Sequence, residues 1–219
     1  MANEETIKDE PVRESDRGIR TYVLRAGRMT DGQKKAIQVL GPKYCLPFEA
    51  GKRLDLDAAF GRAEGSPARP LIVEIGFGMG TATWQIAAAR PDIDYLGIEV
   101  HTPGVGKLMT HLEAHGVENV RILHHDAVEV FESGLAPDSL AGIHIFYPDP
   151  WPKKRHQKRR LLRPGLVELL VSRLAPGGYL YFVTDIESYA ESSLELLSHT
   201  EGIFNRYEGF AARQEWRPE

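Results

Sequence analysis

Apolar runs and amphipathic helical patterns alternate along the chain from Leu71 onward. Apolar strands separated by helices are typical of a parallel sheet that is covered on both faces. The predicted strands are Leu71–Ile75, Tyr95–Ile98, Val120–Leu123, Ile143–Tyr147 and Tyr179–Val183. The predicted helices are Thr81–Ala89, Pro103–His115, Ala127–Ser133, Pro164–Leu174 and Ser188–His199, followed by a short strand near Phe204–Tyr207. The pattern predicts a doubly wound α/β fold, whose ligands bind at the carboxyl ends of the strands.

The segment before the first strand predicts an added arm. Thr30 or Asp31 is suited to cap a short helix through Leu40, and Gly41-Pro42 is expected to end that helix. The Gly, Pro and Ala residues between 46 and 70 predict a connecting stretch that leads into the sheet.

Length and composition favour one main domain. The chain has 219 residues, of which 42% are hydrophobic and 26% charged, a balance that excludes a wholly disordered or fibrous protein. Residues 1–20 hold six acids and four bases among few apolar side chains, so we expect a disordered tail there. Residues 21–70 are then the N-terminal arm and connecting region, and residues 71–219 the main domain.

The sequence predicts a cytoplasmic protein without membrane association. No apolar run approaches the roughly 20 residues that cross a bilayer, and the N-terminus lacks the apolar core of a signal peptide. The single cysteine, Cys45, excludes an internal disulfide. The eight histidines show no ligand spacing, so we expect no metal, and nothing points to an obligatory protein partner.

One segment carries a charge opposite to that of the chain. The net charge is -4, yet Lys153–Arg163 contains seven Lys and Arg residues and no acid, which leaves the rest of the chain at -11. A cationic patch on an acidic body is typical of a site for a polyanion such as RNA. A solvated helix face is the alternative for a basic run taken alone.

A glycine-rich turn follows the first predicted strand. Gly76, Gly78 and Gly80 form a G-x-G-x-G pattern that lets the backbone approach a nucleotide-like ligand. In the dinucleotide pattern G-x-G-x-x-G/A the third glycine would fall at Thr81, so NAD is disfavoured. A glycine turn that binds nothing is the alternative.

Carboxylates end or precede several predicted strands. Glu99, nineteen residues after Gly80, is placed to accept both hydroxyls of an adenosine ribose. Asp126 follows the third strand, where it either accepts a hydrogen bond from an adenine amino group or caps the next helix. A loop and two acids at successive strand ends resemble the S-adenosylmethionine-dependent methyltransferases of the Rossmann-like class. With this resemblance, Glu74 either faces the ammonium group of the ligand's methionine or is a buried acid bonded to a backbone donor.

The fourth strand leads into a loop in which Pro148 and Pro150 bracket Asp149. The two prolines hold this aspartate in an extended conformation at the strand tip, whereas an incidental surface turn is the alternative. Trp151 either stacks on a base or belongs to the core. Asp185, after the fifth strand, either accepts a hydrogen bond from a substrate or caps the following helix.

The motif FYPDPWPKKRHQKRRLL is similar to the signature of bacterial tRNA (guanine-N7)-methyltransferases, and RAGRMTDGQ resembles the N-terminal region of that family. The resemblance runs from about Arg20 to the mid-180s, with EIGFGMG, GIEV and Thr184-Asp185 inside it. It implies transfer of a methyl group from S-adenosylmethionine to N7 of the variable-loop guanosine at position 46 of tRNA, with S-adenosylhomocysteine as the other product and no metal.

The resemblance also implies roles for individual residues. Asp149 is the implied carboxylate of the catalytic centre. The implied cofactor contacts are Glu74, Gly76, Gly78, Gly80, Glu99, Asp126 and Ala127. The implied substrate and RNA contacts are Lys153, Arg155, His156, Gln157, Lys158, Arg159, Arg160 and Asp185. Members usually continue past the Arg217-Pro218 pair into a T-x-F-E segment and a last strand, so we expect a C-terminal strand and further guanine contacts to be missing.

Other functions stay open at this stage. The second hypothesis is a methyltransferase of the same architecture that acts on another RNA or on a small molecule, although a small-molecule enzyme has no need of the basic run. A third is a non-catalytic RNA-binding protein, which the presence of Glu99, Asp126 and Asp149 together disfavours. A dehydrogenase ranks last because the glycine spacing is wrong for NAD.

Overall fold

A computed structural model describes residues 21–22, 28–63, 66–67 and 69–210. The strands are β1 (Leu71–Ile75), β2 (Asp94–Ile98), β3 (Val120–Leu123), β4 (Leu140–Phe146) and β5 (Leu174–Val183). The helices are α1 (Asp31–Tyr44), α2 (Leu56–Ala59), α3 (Thr81–Ala89), α4 (Thr102–Ala114), α5 (Ala127–Glu129), α6 (Pro164–Val171) and α7 (Glu187–Ser198). A π-helical turn (Val130–Gly134) follows α5, and a 3-10 turn (Lys154–Arg159) precedes α6. The disordered tail predicted at 1–20 and the Arg217-Pro218 pair lie outside the described residues.

The five strands form a parallel sheet in the order β3-β2-β1-β4-β5. Because β1 pairs with β2 on one side and with β4 on the other, the strand order reverses at β1. Open α/β sheets bind ligands in the crevice at such a reversal, outside the carboxyl ends of the strands. The predicted doubly wound fold is confirmed.

Alternate residues of each strand face two separate cores. Val73 and Ile75 face a core that the side chains of α6 and α7 complete. Ile72 faces a second core, which α1, α3 and α4 cover. Glu74 shares the side of Ile72 because neighbouring residues of a strand point to opposite faces. The second layer therefore lies directly over the carboxylate that precedes the glycine turn.

The N-terminal helix is longer than predicted. It begins after Thr30, whose side chain caps it, but it continues through Gly41-Pro42 to Tyr44. A proline disfavours the helical conformation of the preceding residue through a clash with its Cβ atom, and Gly41 has no Cβ atom. Tyr44 is fully buried against the second core, and this burial stabilises the last turn of the helix.

Other element boundaries also differ from the pattern. β5 begins at Leu174 instead of Tyr179, because the chain pairs with β4 through an irregular register near Gly142. The short strand predicted near Phe204–Tyr207 is wrong. Asn205 instead forms a turn, in which its side-chain oxygen accepts a hydrogen bond from the backbone N–H of Tyr207 (3.2 Å) and its nitrogen donates to the carbonyl of Gly209 (2.7 Å). Asparagine side chains favour turns through such local bonds.

The stretch between α1 and β1 packs against the sheet. It continues from an isolated parallel bridge between Cys45 and Ile122, and the backbone N–H of Leu46 donates to the carbonyl of Ile122 (2.8 Å). These contacts protect the edge strand β3, whose backbone groups would otherwise be open to pairing with another chain. The apolar residues of the stretch that pack against the first core are Leu46, Phe48, Leu54, Leu56 and Phe60.

Candidate active site

The glycine turn after β1 has a backbone that only glycine adopts easily. Gly76, Gly78 and Gly80 have φ angles of 73°, 58° and 73°. A Cβ atom on Gly76 or Gly78 would meet nothing within 4 Å, so open space lies beside the turn, whereas a Cβ atom on Gly80 would lie 2.7 Å from the side chain of Leu108. The first two glycines therefore form a cradle that is free for a ligand, and the third allows close packing of α3 against α4.

Glu99, after β2, is bonded to the glycine turn. Its Oε2 accepts a hydrogen bond from the backbone N–H of Gly78 (2.8 Å), and its Oε1 accepts from the N–H groups of Val100 (2.7 Å) and His101 (2.9 Å). The side chain is 8% exposed. An ionised carboxylate has about four acceptor positions, so about one stays open, on Oε2. One further donor, such as a ribose hydroxyl, fits there while the carboxylate stays bonded to Gly78.

Glu74 is buried beneath the turn and has a shifted pKa. Burial raises the pKa of this carboxyl from 4.5 to about 7, the nearby Thr83 hydroxyl opposes the rise, and the charge of Glu99 adds to it. The Thr83 hydroxyl is itself buried and makes no hydrogen bond of regular geometry. Among the described residues, no backbone N–H donates to Glu74, so the expected alternative of a backbone-bonded acid is not realised.

Asp126 caps the helix that follows β3. Its Oδ1 accepts a hydrogen bond from the backbone N–H of Val128 (2.8 Å), and Ala127 is the first residue of α5. Capping by Oδ1 leaves Oδ2 available at the same edge of the sheet as Glu99. The capping alternative is confirmed, and the adenine contact stays a prediction, since one carboxylate can do both.

Asp149 lies in a constrained loop at the end of β4. Tyr147 and Trp151, which flank the Pro-Asp-Pro segment, have left-handed φ angles of 49° and 44°. The backbone N–H of Tyr147 donates to the carbonyl of Val183 (2.8 Å), which ties the loop to β5. Asp149 is exposed, and it has no hydrogen-bond partner within the described part of the chain. Left-handed residues of this kind cost about 1–3 kcal/mol each and cluster at functional sites.

Asp185 is the corresponding carboxylate at the end of β5. It is exposed, and the N-cap of α7 is Ile186, whose backbone N–H donates to the hydroxyl of Thr184 (3.3 Å). The alternative that Asp185 caps α7 is therefore wrong. Since β4 lies between β1 and β5, the strand order places the Asp149 loop between the glycine turn and Asp185.

Comparison with known proteins identifies the family. A family model described as "Putative methyltransferase" matches residues 68–216. The chain is 51% identical to the tRNA (guanine-N(7)-)-methyltransferase of Paraburkholderia xenovorans over 92% of this chain and 75% of that protein. It is 52% identical to the enzyme of the same name from Thiobacillus denitrificans, over 91% of this chain and 86% of that protein. The chain belongs to the tRNA (guanine-N(7)-)-methyltransferase family. The resemblance stated from the motifs is thus confirmed.

In this methyltransferase the basic segment forms an exposed turn that follows the Asp149 loop. Lys153 precedes the 3-10 turn, and the exposed members of the turn are Lys154, Arg155 and Lys158. Gln157 is half-buried there. Partial desolvation and the surrounding cations lower the pKa of His156.

Trp151 organises this turn. The guanidinium carbon of Arg159 lies 4.2 Å from the centre of the indole ring, and the ring of His156 meets it edge-on at 6.0 Å. The indole N–H donates to the backbone carbonyl of Thr21 (3.2 Å). Trp151 is half-buried, with Arg159 over its ring, so it does not belong to the core, and base stacking stays a prediction.

Arg160 differs from its neighbours and corrects one expectation. It is 5% exposed, whereas the resemblance implies an RNA contact. Its guanidinium donates to the carbonyl of Pro150 (3.1 Å) and to the hydroxyl of Ser192 (2.8 Å), and it lies 4.6 Å from the ring centre of Tyr189. Arg160 therefore connects the Asp149 loop to α7 from inside and cannot reach a phosphate in this conformation.

We expect Arg160→Ala to lower the free energy of unfolding by about 2–4 kcal/mol, because it empties the space of a buried side chain and removes its hydrogen bonds to Pro150 and Ser192. Urea unfolding followed by circular dichroism measures this. Arg155→Ala is the matched control, since Arg155 is exposed, and it should change stability by less than about 0.5 kcal/mol. Equal stability of the two variants would contradict the buried role of Arg160.

The raised pKa of Glu74 predicts that the contribution of this residue to the free energy of unfolding falls as the pH rises. The folded carboxyl ionises near 7 and the unfolded one near 4.5, so ionisation favours the unfolded chain as pH rises between these values. Glu74→Gln removes this effect, and the stability of the variant relative to the parent should increase by up to about 3 kcal/mol from pH 4 to pH 8. Urea unfolding at both pH values is the measurement, and a constant difference would contradict the prediction.

Sequence reasoning missed three residues of this site. Tyr147 is an exposed aromatic residue in a left-handed conformation, but its sequence position looks like the end of a strand. Gly104 and Gly106 lie inside α4 and touch distant segments. Their only sequence signal is the presence of two glycines in a predicted helix, where glycine costs about 1 kcal/mol relative to alanine.

Within the described residues, none of the helices has the length and apolar character required to cross a bilayer. The same residues contain no group of three or more His, Cys, Asp or Glu side chains arranged to hold a metal ion.

Proposed function

We propose that this chain transfers the methyl group of S-adenosylmethionine to N7 of a guanosine in tRNA, namely the variable-loop guanosine at position 46. The observation that carries this function is the convergence at one sheet edge. The glycine cradle and Glu99 lie at the same sheet edge as Asp149 and Asp185, two exposed aspartates that have no partner among the described residues, and an exposed basic turn adjoins them. The glycine cradle and Glu99 suit an adenosine cofactor. The two aspartates and the basic turn suit a guanine that is attached to a phosphate backbone.

The residues at the cradle fit S-adenosylmethionine. Space beside Gly76 and Gly78 is open, Glu99 keeps one acceptor for a ribose hydroxyl, and Asp126 keeps one for an adenine amino group. The buried Glu74 lies where it suits the ligand's ammonium group. This cofactor has no pyrophosphate, so carboxylates around the turn do not repel it as they would a dinucleotide.

The carboxyl ends of β4 and β5 suit the target guanine. Asp149 is free to accept hydrogen bonds from the guanine N1–H and 2-amino group, and Asp185 offers a second acceptor. N7 has a lone pair and no proton, so attack on the sulfonium methyl needs alignment and no general base. As the N–C bond forms and the C–S bond breaks, the positive charge moves from sulfur into the purine, where the Asp149 carboxylate stabilises it.

Tyr147 adds an aromatic surface beside that carboxylate. The side chain is 65% exposed although it is large and apolar, and its backbone is held in a left-handed conformation. Bases that leave a nucleic-acid stack for chemistry are usually received by aromatic rings. We propose that Tyr147 stacks on the extruded guanine while Asp149 binds its edge.

The test of the function is methyl transfer from labelled S-adenosylmethionine to unmodified tRNA, followed by digestion and identification of the labelled nucleoside. Labelled 7-methylguanosine, absent when the variable-loop guanosine is replaced by adenosine, is the expected result. Another labelled nucleoside would replace the proposal with a different RNA methyltransferase. Binding of both ligands without transfer would favour the non-catalytic RNA-binding protein.

We expect tRNA binding to weaken steeply with salt, because the exposed cations of the basic turn release counterions when they contact phosphates. Arg155→Ala should reduce the slope of log K against log salt concentration by about 1. The slope is measured by fluorescence anisotropy of labelled tRNA at salt concentrations from about 50 to about 300 mM. Lys52→Ala is the matched control, because Lys52 is exposed and lies two residues before Leu54, whose backbone N–H donates to the carbonyl of Gly134 on the chain that leads into the amino end of β4. Equal slopes for both variants would count against phosphate contact by Arg155.

A further inference from the structure

The first turn of α4 separates α1 from the glycine turn, and glycines form both contacts. A Cβ atom on Gly104 would overlap the carbonyl oxygen of Gly78, which no packing allows. A Cβ atom on Gly106 would lie 2.8 Å from the backbone carbonyl oxygen of Gln33 in α1. Backbone therefore meets backbone on both sides of one helical turn, and a shift of α4 must move Gly78.

Gln33 joins α1 to this turn with both ends of its side-chain amide. Its Oε1 accepts a hydrogen bond from the backbone N–H of Thr30 (2.8 Å), which completes the capping box of α1. Its Nε2 donates to the backbone carbonyl of Pro103 in α4 (3.0 Å). The same residue therefore starts one helix and holds the start of another, 70 residues later in the chain.

The two helices are also joined at their other ends. Glu113, near the end of α4, accepts hydrogen bonds through Oε2 from the hydroxyl of Tyr44 (2.9 Å) and from the ammonium group of Lys43 (2.8 Å). The helices therefore run parallel, and α1 fixes the position of α4 along its whole length. Tyr44 itself is fully buried in the second core, so its hydroxyl anchors Glu113 to that core.

Gly78 is in turn held from two directions. Its carbonyl rests against Gly104, and its N–H donates to Oε2 of Glu99, the oxygen that keeps the open acceptor position. The carbonyl and the N–H of Gly78 belong to two peptide planes that meet at its Cα atom, so a displacement of the whole residue away from Gly104 also moves the N–H group relative to Glu99 and changes the oxygen available to a ribose.

We propose that Gln33 and Gly104 are positioning residues for the cofactor cradle: α1 sets the affinity for S-adenosylmethionine by holding α4 against Gly78. The inference rests on the proposed function, because it names what the cradle binds. It gives the N-terminal arm a role at the cofactor side of the site, although no residue of α1 belongs to the sheet edge itself.

Two substitutions separate this role from folding. Gly104→Ala inserts a methyl group against the Gly78 carbonyl. Gln33→Glu keeps an acceptor for the capping box, in which glutamate is as suitable as glutamine, but removes the donor to Pro103. Gly165→Ala in α6 is the control, because a Cβ atom there meets nothing within 4 Å. Calorimetric binding of S-adenosylhomocysteine, Michaelis constants for both substrates, kcat and thermal melting are measured for each variant.

We expect Gly104→Ala to weaken S-adenosylhomocysteine binding by about tenfold or more, since small displacements of a binding loop have large effects. Gln33→Glu should weaken it by about three- to tenfold, as for the loss of one hydrogen bond. In both variants KM for S-adenosylmethionine should rise, while kcat and KM for tRNA stay within about twofold and Gly165→Ala resembles the parent chain.

A cofactor affinity within twofold of the parent in Gln33→Glu, folded to the same melting temperature, would overturn the proposal even if Gly104→Ala failed to fold. The proposal would also be overturned if kcat fell and KM rose to a similar extent for both substrates, because such a result indicates general disruption. A parent chain that binds no S-adenosylhomocysteine at all would instead overturn the proposed function, and the positioning role with it.

Discussion

Asp149→Asn is expected to lower kcat by about 10²–10³-fold, the usual effect of removing one preorganised electrostatic group from a transition state. The substitution keeps the shape of the side chain and one acceptor oxygen, but it removes the charge that the proposed function assigns to stabilising the cationic purine. Asp149 is exposed and has no described partner, so its loss should leave the fold and cofactor binding unchanged. Single-turnover methyl transfer at saturating S-adenosylmethionine measures the chemical step.

A tRNA with inosine at the target position separates the two roles of Asp149. Inosine lacks the 2-amino group, so recognition by Asp149 predicts a penalty in the parent chain that largely disappears in Asp149→Ala. Charge stabilisation predicts the same penalty in both. Asp138→Asn is the matched control, since Asp138 is an exposed aspartate with a left-handed φ of 52° just before β4, at the other end of that strand. Activity of Asp149→Asn close to that of this control would remove Asp149 from the catalytic centre.

Local patterns in the sequence were sufficient for much of the fold. β1, β3 and α3 have the predicted boundaries, because each is a clear apolar run or helical pattern between glycine and polar turn residues. The end of α1 was wrong because a missing Cβ atom on Gly41 offsets the usual effect of Pro42, and the burial of Tyr44 is a tertiary contact. The strand near Phe204–Tyr207 was wrong because one asparagine side chain supplies a local turn.

The site was predictable where residues act through their position at strand ends. The structure brings Glu99, Asp126, Asp149 and Asp185 to the same sheet edge, since parallel strands end there together. It was not predictable where the role depends on what a side chain meets. Arg160 looks like the other cations of its run, and only the fold reveals that it is buried against α7.

The role of Gly104 was also not predictable, because it depends on a tertiary contact. The contact that requires a glycine there is made with Gly78, which is distant in sequence, and no local pattern marks it. A glycine in a helix is otherwise an unfavourable residue. Such a position in a predicted helix therefore indicates a close backbone approach, although the sequence does not identify the partner.

Glu99→Gln is expected to weaken S-adenosylmethionine binding by about 10- to 100-fold, the value of one or two charge-assisted hydrogen bonds. The glutamine oxygen can still accept from Val100 and His101, but its NH2 group then faces the N–H of Gly78, where two donors oppose each other. The glycine turn loses its attachment to β2 while the ribose loses its acceptor. Calorimetry with S-adenosylhomocysteine measures the loss.

The control for this variant is Glu118→Gln, the same change at an exposed glutamate before β3, at the opposite edge of the sheet. Because Glu99 and Gly104 both act on Gly78, the effects of Glu99→Gln and Gly104→Ala should be less than additive in the double variant. Full additivity would mean that the carboxylate and the first turn of α4 act on the cofactor separately. Unchanged binding in Glu99→Gln would place the ribose elsewhere along the sheet edge.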